Sequence, residues 1–284
     1  MRLLVLGAAG IVGRAVMAEA ARRGWPAAGL GHAELDITDR AAVAAALAAE
    51  RPVRVVNCAA FTQVDRCESE RELAFRVNGE AVGGLVEECA RAGARLVHLS
   101  TDYVFDGRAT EPYPEEAPPA PLSVYGASKL EGERRALADP ASLVVRTSGV
   151  FGPGGANFVD TVAARLRRGG EPLRVVADQV TAPTYAPFLA RALVDLGESG
   201  ATGLVHYRNR EATSWYELAL EIARRLGAGV AVEPASSDEV VRPARRPKYS
   251  VLAVERFERR LGRPVEPWSA GLDAHLGVGS KEKA

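Results

Sequence analysis

The 284-residue sequence has few cysteines, few lysines and no long apolar run. Its three cysteines form an odd set without the spacing of a metal site, so we expect free thiols, no metal and a cytoplasmic location. No stretch of about 18 apolar residues occurs, so no membrane span is expected. Only four of the 36 basic side chains are lysines and the formal net charge is zero, so nucleic acid is not an expected partner.

Short apolar segments alternate with helix-length segments over the first 150 residues. This alternation predicts an α/β fold of the Rossmann type, a doubly wound parallel sheet with helices on both faces. We therefore assign residues 1–150 to a dinucleotide-binding domain, to which about 173–200 would also belong. The predicted strands are 2–6, 53–57, 95–100 and 142–147, and the predicted helices are 11–23, 41–50, 72–92 and one that carries Tyr125 and Lys129.

The alternation loosens after residue 150. We expect a smaller C-terminal substrate lobe at 151–284, interleaved with the first domain. A basic, proline-braced loop stands at Arg242–Pro247, and the chain end from Ser280 to Ala284 is predicted to fray. The predicted helices of this part are 158–168, 185–197, one from a Ser214 cap to Leu226, and 254–261, and its strands are 173–176 and 203–207.

A glycine-rich turn follows the first predicted strand. Gly7, Gly10 and Gly13 have Gly-x-x-Gly-x-x-Gly spacing and open a helix. Gly7 permits the tight turn, Gly10 lets the backbone approach a pyrophosphate, and Gly13 allows the helix to pack closely on the strand. Because the helix N-terminus then faces the phosphates, the sequence predicts a dinucleotide site.

The choice between NADPH and NADH depends on the end of the second strand, near Leu30–His32, which carries no acidic residue. An acid there would bind the ribose 2′-hydroxyl of NAD, so its absence favours NADPH, with NADH possible. Arg14 could meet a 2′-phosphate, and Asp36 with Ile37 could flank the adenine. An exposed helical arginine and a helix N-terminal acid are equally good interpretations of Arg14 and Asp36.

Tyr125 and Lys129 stand four residues apart, which places them on one helix face one turn apart. An ammonium there can favour the phenolate, and a tyrosine tuned in this way exchanges a proton near neutral pH. Thr101 ends the preceding strand, where open α/β sheets place their ligands. The three residues predict proton transfer to or from a carbonyl or hydroxyl oxygen as hydride moves.

Motifs spread over most of the chain resemble those of the dTDP-4-dehydrorhamnose reductases, a group of extended short-chain dehydrogenases/reductases. The resemblance implies that Thr101, Tyr125 and Lys129 are catalytic, that Lys129 also holds the cofactor, and that Thr101 and Asp102 contact the sugar. Further cofactor contacts are implied for Gly10, Ile11, Val12, Asp36, Ile37, Ala60, Phe61 and Thr62. The motifs are Gly7–Gly13, Asn57–Asp65, Ser100–Gly107, Tyr125–Lys129, Arg146–Ser148, Asp178–Gln179, Thr213–Tyr216 and Arg242–Pro243.

The activity implied by the resemblance is NADPH-dependent reduction of the C4 keto group of dTDP-4-dehydro-6-deoxy-L-mannose to dTDP-L-rhamnose. Arg242 would reach the diphosphate of this dTDP-sugar, although a solvated loop charge is an equally good interpretation. A homodimer is expected from base rates. Gly149 stands where the family often has Trp, and Val180–Thr181 and Lys248–Ser250 also depart from the pattern, so the exact sugar stays open.

Other activities use the same fold. A sugar-nucleotide 4,6-dehydratase needs a Glu where this chain has Tyr103, so its proton-abstracting base is missing. An NAD-dependent sugar-nucleotide epimerase would use the same Thr, Tyr and Lys, and a non-catalytic NADP-binding regulatory subunit would keep the fold. Both stay open as alternatives from the residues alone.

Overall fold

The computed structural model describes residues 2–278. Its strands are β1 (Leu3–Leu6), β2 (Ala27–Leu30), β3 (Arg54–Asn57), β4 (Arg95–Thr101), β5 (Leu143–Thr147), β6 (Val150–Phe151), β7 (Leu173–Val176), β8 (Val180–Thr181), β9 (Thr184–Tyr185), β10 (Gly203–His206), β11 (Thr213–Ser214) and β12 (Val232–Ala235). Its α-helices are α1 (Ile11–Arg22), α2 (Arg40–Glu50), α3 (Val64–Ser69), α4 (Arg71–Phe75), α5 (Ala81–Ala92), α6 (Val124–Leu137), α7 (Phe158–Arg168), α8 (Ala186–Glu198), α9 (Trp215–Leu226), α10 (Glu255–Leu261) and α11 (Trp268–Leu276).

Six parallel strands form the main sheet in the order β10-β5-β4-β3-β1-β2, as the α/β prediction requires. Alternate side chains of β1 serve the two faces, because strand side chains alternate. Leu3 and Val5 pack with α1 and α8 on one face, whereas Leu4 and Leu6 pack with α2 and α5 on the other. The predicted Rossmann-type sheet with helices on both faces is confirmed.

A smaller lobe is built from the chain after β5. Its core joins α7, α9 and α11 around buried side chains that include Phe151 and Leu218. Strand β7 pairs with β12 in this lobe, whereas α8 packs on α1 and β10 joins the main sheet. The chain therefore crosses between the two parts more than once, and we propose that the first domain takes α8 and β10 but not β7.

Several elements differ from the sequence-based expectation. The helix predicted at 72–92 is interrupted by a π-helical turn, Arg76–Glu80, between α4 and α5. Helices α3 and α11 were missed, because six and nine residues carry too short an apolar pattern. The Ser214 cap is confirmed and forms a capping box with Glu217. Predicted fraying from Ser280 to Ala284 lies outside the described residues.

No helix within residues 2–278 is long and apolar enough to cross a membrane.

Candidate active site

A cavity of about 720 Å³ opens at the carboxyl ends of the main-sheet strands. Strand β1 lies where the strand order reverses, since β2 flanks it on one side and β3 on the other. Open α/β sheets bind ligands at this position. Of the residues predicted for the site, those that line the cavity are Gly10, Ile11, Val12, Gly13, Ala60, Thr62, Thr101, Asp102, Tyr125 and Lys129.

The glycine turn leaves room for a ligand and none for side chains. Gly7 has φ +73°, and a Cβ there would lie 2.6 Å from the Ala59 nitrogen. A Cβ on Gly13 would lie 2.2 Å from the Gly7 carbonyl oxygen. The first turn of α1 carries no acidic side chain, so its N–H groups and positive dipole end can receive a phosphate. The chain thus fits a dinucleotide at this turn.

The wall opposite this turn offers a further polar group. The Thr147 hydroxyl is buried, lines the cavity and has no hydrogen-bond partner among the described residues. Buried hydroxyls are normally paired, so this one is suited to a bound ligand.

The turn after β2 holds an acid that the sequence reasoning missed. Glu34 folds back, and its carboxylate accepts a hydrogen bond of 2.8 Å from the Gly31 N–H. A Cβ on Gly31 would lie 3.1 Å from the Ala9 Cβ, so this carboxylate stands beside the glycine turn. On the other side of the turn, Arg14 donates its Nε–H to the Ala9 carbonyl at 2.8 Å. An acidic and a basic side chain therefore both flank the position expected for the adenosine of the cofactor.

The proton-transfer group lies where β4 ends and α6 begins. Thr101 is buried; its hydroxyl donates to Asp102 at 3.0 Å and accepts the Tyr103 N–H at 3.2 Å. Thr101 also lies close enough to Tyr125 to lower the pKa of its hydroxyl. The Lys129 ammonium donates to the Leu99 carbonyl at 2.7 Å. The three residues predicted to act together do meet at one wall of the cavity.

Burial controls the ionisation of this group. Burial raises the pKa of Tyr125 above its ordinary value, and Thr101 only partly opposes the rise. The pKa of Lys129 is lowered to about 8 by burial, against the attraction of Glu133. Burial raises the pKa of Asp102 to about 6, although Ser250 and Thr101 stabilise its carboxylate. The lowering of the Tyr125 pKa by Lys129 stays a prediction for the occupied site.

Helix α6 is held in place by close backbone contacts at its first turns. Ser123 caps it by accepting the Gly126 N–H at 3.2 Å. A Cβ on Gly126 would lie 2.1 Å from the Tyr103 carbonyl oxygen, and one on Gly132 would lie 2.1 Å from that of Asn78. Gly126 lets the helix approach the end of β4, where Thr101 lies, and Gly132 lets it approach the π turn.

Asn78 in the π turn links this helix to the loop after β3. Its carbonyl accepts the Phe61 N–H at 2.8 Å, and its amide donates to the Phe61 carbonyl at 3.0 Å and to Ser128 at 3.0 Å. The loop that includes Ala60 and Thr62 is thereby fixed beside the cavity. π turns are frequent at functional sites, but no sequence pattern marks this one.

Five predicted site residues lie away from the cavity surface. Gly7 lies beneath the turn, and Ile37 is buried in the core formed with α2 and α5. Asp36 is exposed, and its carboxylate accepts hydrogen bonds from Thr38. The Phe61 backbone is held by Asn78, and Arg242 lines a second cavity of about 510 Å³. Their ligand contacts remain proposals. Between residues 2 and 278 no group of three or more His, Cys, Asp or Glu could hold a metal ion.

The basic loop 242–247 separates the two cavities. Arg246 donates both ends of its guanidinium to Asp65 on α3, at 3.1 and 2.9 Å, and also donates to the Ala244 carbonyl at 2.9 Å. Asp65 accepts the Ala244 N–H at 3.2 Å as well. The pKa of Asp65 is lowered mainly by Arg246. This clamp fastens the loop beside the proton-transfer group, and nothing in the spacing of the two residues could reveal it.

Comparisons with known proteins agree with the geometry. The family described as RmlD substrate binding domain matches residues 1–278. The chain is 43% identical over 279 residues to dTDP-4-dehydrorhamnose reductase of Streptomyces griseus, with 95% of this chain and 91% of the relative covered. It is also 43% identical over 277 residues to a probable dTDP-4,6-dihydroxy-2-methyloxan-3-one 4-ketoreductase of Streptomyces antibioticus, with 96% and 93% covered.

A solved structure is similar over nearly its whole length. The dTDP-4-dehydrorhamnose reductase of Bacillus anthracis, determined in complex with NADP, is 34% identical with a TM-score of 0.93. The match covers 97% of this chain and 98% of that chain.

Proposed function

We propose that this chain, which belongs to the RmlD substrate binding domain family, reduces the C4 keto group of dTDP-4-dehydrorhamnose with NADPH and yields dTDP-L-rhamnose. The observation that carries the proposal is that Thr101, Tyr125 and Lys129 line the same cavity as the glycine turn. A carbonyl placed against Thr101 and Tyr125 would lie within reach of a bound nicotinamide.

Tyr125 is the proton donor in this mechanism. Burial keeps its hydroxyl protonated until the carbonyl oxygen becomes negative, so it can donate when charge develops. Thr101 gives its proton to Asp102 at present, so its hydroxyl must turn towards the substrate oxygen when the sugar binds. Lys129 would hold the nicotinamide ribose, and its charge would favour the phenolate that Tyr125 becomes. Bound NADPH would supply the hydride.

Helix α1 would bind the pyrophosphate of the cofactor. Gly10, Ile11 and Val12 begin this helix and line the cavity, so their backbone supplies the anion site. Ala60 and Thr62, in the loop that Asn78 fixes, would contact the rest of the dinucleotide.

A related dTDP-4-keto sugar is a second candidate substrate, and Gly149 favours keeping it. Gly149 has φ +51°, and a Cβ there would lie 3.2 Å from the Pro183 Cα, so the Trp common in the family would be strained in this backbone conformation. Gly149 lines the same cavity, and its lack of a side chain alters the wall near the sugar. The Streptomyces antibioticus relative, at equal identity, bears the name of a reductase for another dTDP sugar.

The test is a turnover assay with purified protein. The dTDP-4-dehydrorhamnose substrate and a second dTDP-4-keto-6-deoxy sugar are each supplied with NADPH or NADH, and absorbance at the nicotinamide band is followed. Faster oxidation with dTDP-4-dehydrorhamnose supports the proposal, and faster oxidation with the other sugar favours the second candidate. Cofactor binding without oxidation of NADPH or NADH in the presence of either sugar would instead support an epimerase or a regulatory subunit.

We also propose a cytoplasmic homodimer. The cysteines support a reducing compartment, because all three are free and Cys67 and Cys89 are buried. Sedimentation velocity at micromolar concentration tests the dimer, and a species of about 30 kDa would contradict it.

A further inference from the structure

His98 is a buried polar residue that the mechanism above does not use. It lies in β4, three residues before Thr101, with 0% of its surface exposed. Its neighbours Val97 and Leu96 are core residues, so a histidine here is out of keeping with an apolar strand. Both ring nitrogens face polar groups, Asn57 on one side and Lys129 on the other.

The side-chain amide of Asn57 has a fixed orientation. Its Oδ1 accepts the Ala59 N–H at 3.1 Å, which directs Nδ2 to the His98 Nδ1 at 3.1 Å. An amide nitrogen can only donate, so His98 Nδ1 must accept. Burial, followed by the charge of Lys129, holds the pKa of His98 well below its ordinary value, so the ring is neutral. A neutral ring with an accepting Nδ1 carries its proton on Nε2.

That proton is directed at the catalytic lysine. His98 Nε2 lies 3.5 Å from the Lys129 Nζ, and Lys129 donates to the Leu99 carbonyl at 2.7 Å. An N–H that faces an ammonium repels it, whereas a free amine could accept the same N–H.

We propose that His98 is a positioning residue which Asn57 fixes as the Nε2–H tautomer, so that Lys129 meets a hydrogen-bond donor in place of an acceptor. The ammonium of Lys129 thereby remains available to a ligand and is not taken up by a neighbouring side chain. The proposal rests on the proposed NADPH site, since Lys129 is assigned there to the cofactor ribose.

Other groups near Lys129 also influence whether its amine is protonated. Glu133, one turn further along α6, stabilises the ammonium, but its carboxylate is already paired with Arg146 at 2.6 Å. From the β3 side comes Cys58, whose thiol has a pKa raised by burial to about 12 and is therefore neutral. From β4 come His98 and the Leu99 carbonyl. With a pKa of about 8, Lys129 is mostly charged at pH 7 and loses that charge as the pH rises through 8.

The first test determines the tautomer in the parent protein. In protein labelled with ¹⁵N-histidine, long-range ¹H–¹⁵N spectra at pH 7 assign the ring tautomers, and the signals of His98 are identified by His98→Gln or by elimination with His32→Gln, His206→Gln and His275→Gln. The proposal requires Nε2 to be protonated and Nδ1 to be bare. Protonation on Nδ1 overturns it, and this result is available even if the variant does not fold.

The second test measures NADPH affinity by fluorescence from pH 6 to pH 10. In the parent protein affinity should fall as Lys129 loses its charge. In His98→Gln the amide can turn its carbonyl towards Lys129, which stabilises the ammonium and should move the transition upward by about one pH unit. His206→Gln is the matched control, because His206 is equally buried in β10 but faces Arg146 at 3.4 Å.

In the His206→Gln control, NADPH affinity should fall at the same pH as in the parent protein. If NADPH affinity falls at the same pH in all three proteins, the proposal is overturned. Replacing a histidine with a merely structural role would lower stability but would not shift that pH. Neither test uses a sugar substrate. Absence of turnover with dTDP sugars would therefore overturn the proposed function and leave this inference standing.

Discussion

The two walls of the cavity are built in different ways. The wall from the main sheet carries Thr101 and Lys129, which are buried and hydrogen-bonded to neighbours that are themselves fixed. The wall from the smaller lobe includes Pro247 of loop 242–247, in which Arg242 and Arg245 are exposed and Arg246 is clamped to Asp65. We therefore expect the chemistry to depend on backbone positions and buried groups, and the choice of sugar to depend on more exposed side chains that can change at little cost to the fold.

Removing the Tyr125 hydroxyl should have the largest effect on activity, because the main-sheet wall then loses its proton donor. We expect Tyr125→Phe to lower kcat by about 10²- to 10⁴-fold, the usual contribution of a positioned proton donor. NADPH affinity, measured by fluorescence, should change little. Tyr113→Phe is the control, because it also removes a hydroxyl, one bonded to Asp106. Equal kcat values in the two variants would refute the assignment.

A methyl group on Gly13 should disturb the same wall by displacing the backbone of the glycine turn. The new Cβ would meet the Gly7 carbonyl, so we expect Gly13→Ala to reduce the free energy of unfolding by about 1–3 kcal/mol and to weaken NADPH binding. Gly84→Ala in α5 is the matched helical control, since no atom lies within 4 Å of its Cβ position. That variant should gain about 0.5–1 kcal/mol in urea unfolding. Destabilisation of both to the same extent would contradict the close approach.

The main-sheet wall was also the part most accessible from the sequence. Gly7, Thr101, Tyr125 and Lys129 were predicted because turn geometry and helix periodicity act over a few residues. The capped helix after Ser214 was predicted for the same reason.

Two of the missed features depend on contacts between distant segments, and two are local features without a sequence pattern. Asp65 and Arg246 are 181 residues apart, and Asn57 and His98 meet only because β3 and β4 are paired. The π turn that presents Asn78 looks like ordinary helix in sequence, since one extra residue per turn hardly alters an apolar pattern. Glu34 was overlooked because it reaches Gly31 by folding back across a turn.

Weakening the ion pair between Asp65 and Arg246 should affect sugar binding without affecting the proton-transfer group. In Asp65→Asn the charge is lost and Arg246 keeps one acceptor at residue 65 besides the Ala244 carbonyl, so loop 242–247 becomes less ordered. We expect KM for the sugar nucleotide to rise about tenfold, the size of one charged hydrogen bond, with kcat and NADPH affinity nearly unchanged. Glu70→Gln is the control, because it removes an exposed ion pair with Arg66 beside the same helix. A fall in kcat without a rise in KM would show that the loop serves the chemistry instead.

The smallest effect is expected at the adenosine end of the main-sheet wall, where a change at Glu34 should alter the preference for NADPH over NADH. Glu34 carries a negative charge beside Gly31, where a 2′-phosphate would be repelled and a ribose hydroxyl would be accepted. We expect Glu34→Gln to raise the ratio of kcat/KM for NADPH to that for NADH about threefold, since an exposed charge is strongly screened. Glu131→Gln, which breaks an exposed pair with Arg135 on α6, should leave the ratio unchanged. An unchanged ratio in Glu34→Gln would place the cofactor preference on Arg14 instead, and the matching loss in Arg14→Ala would then identify it.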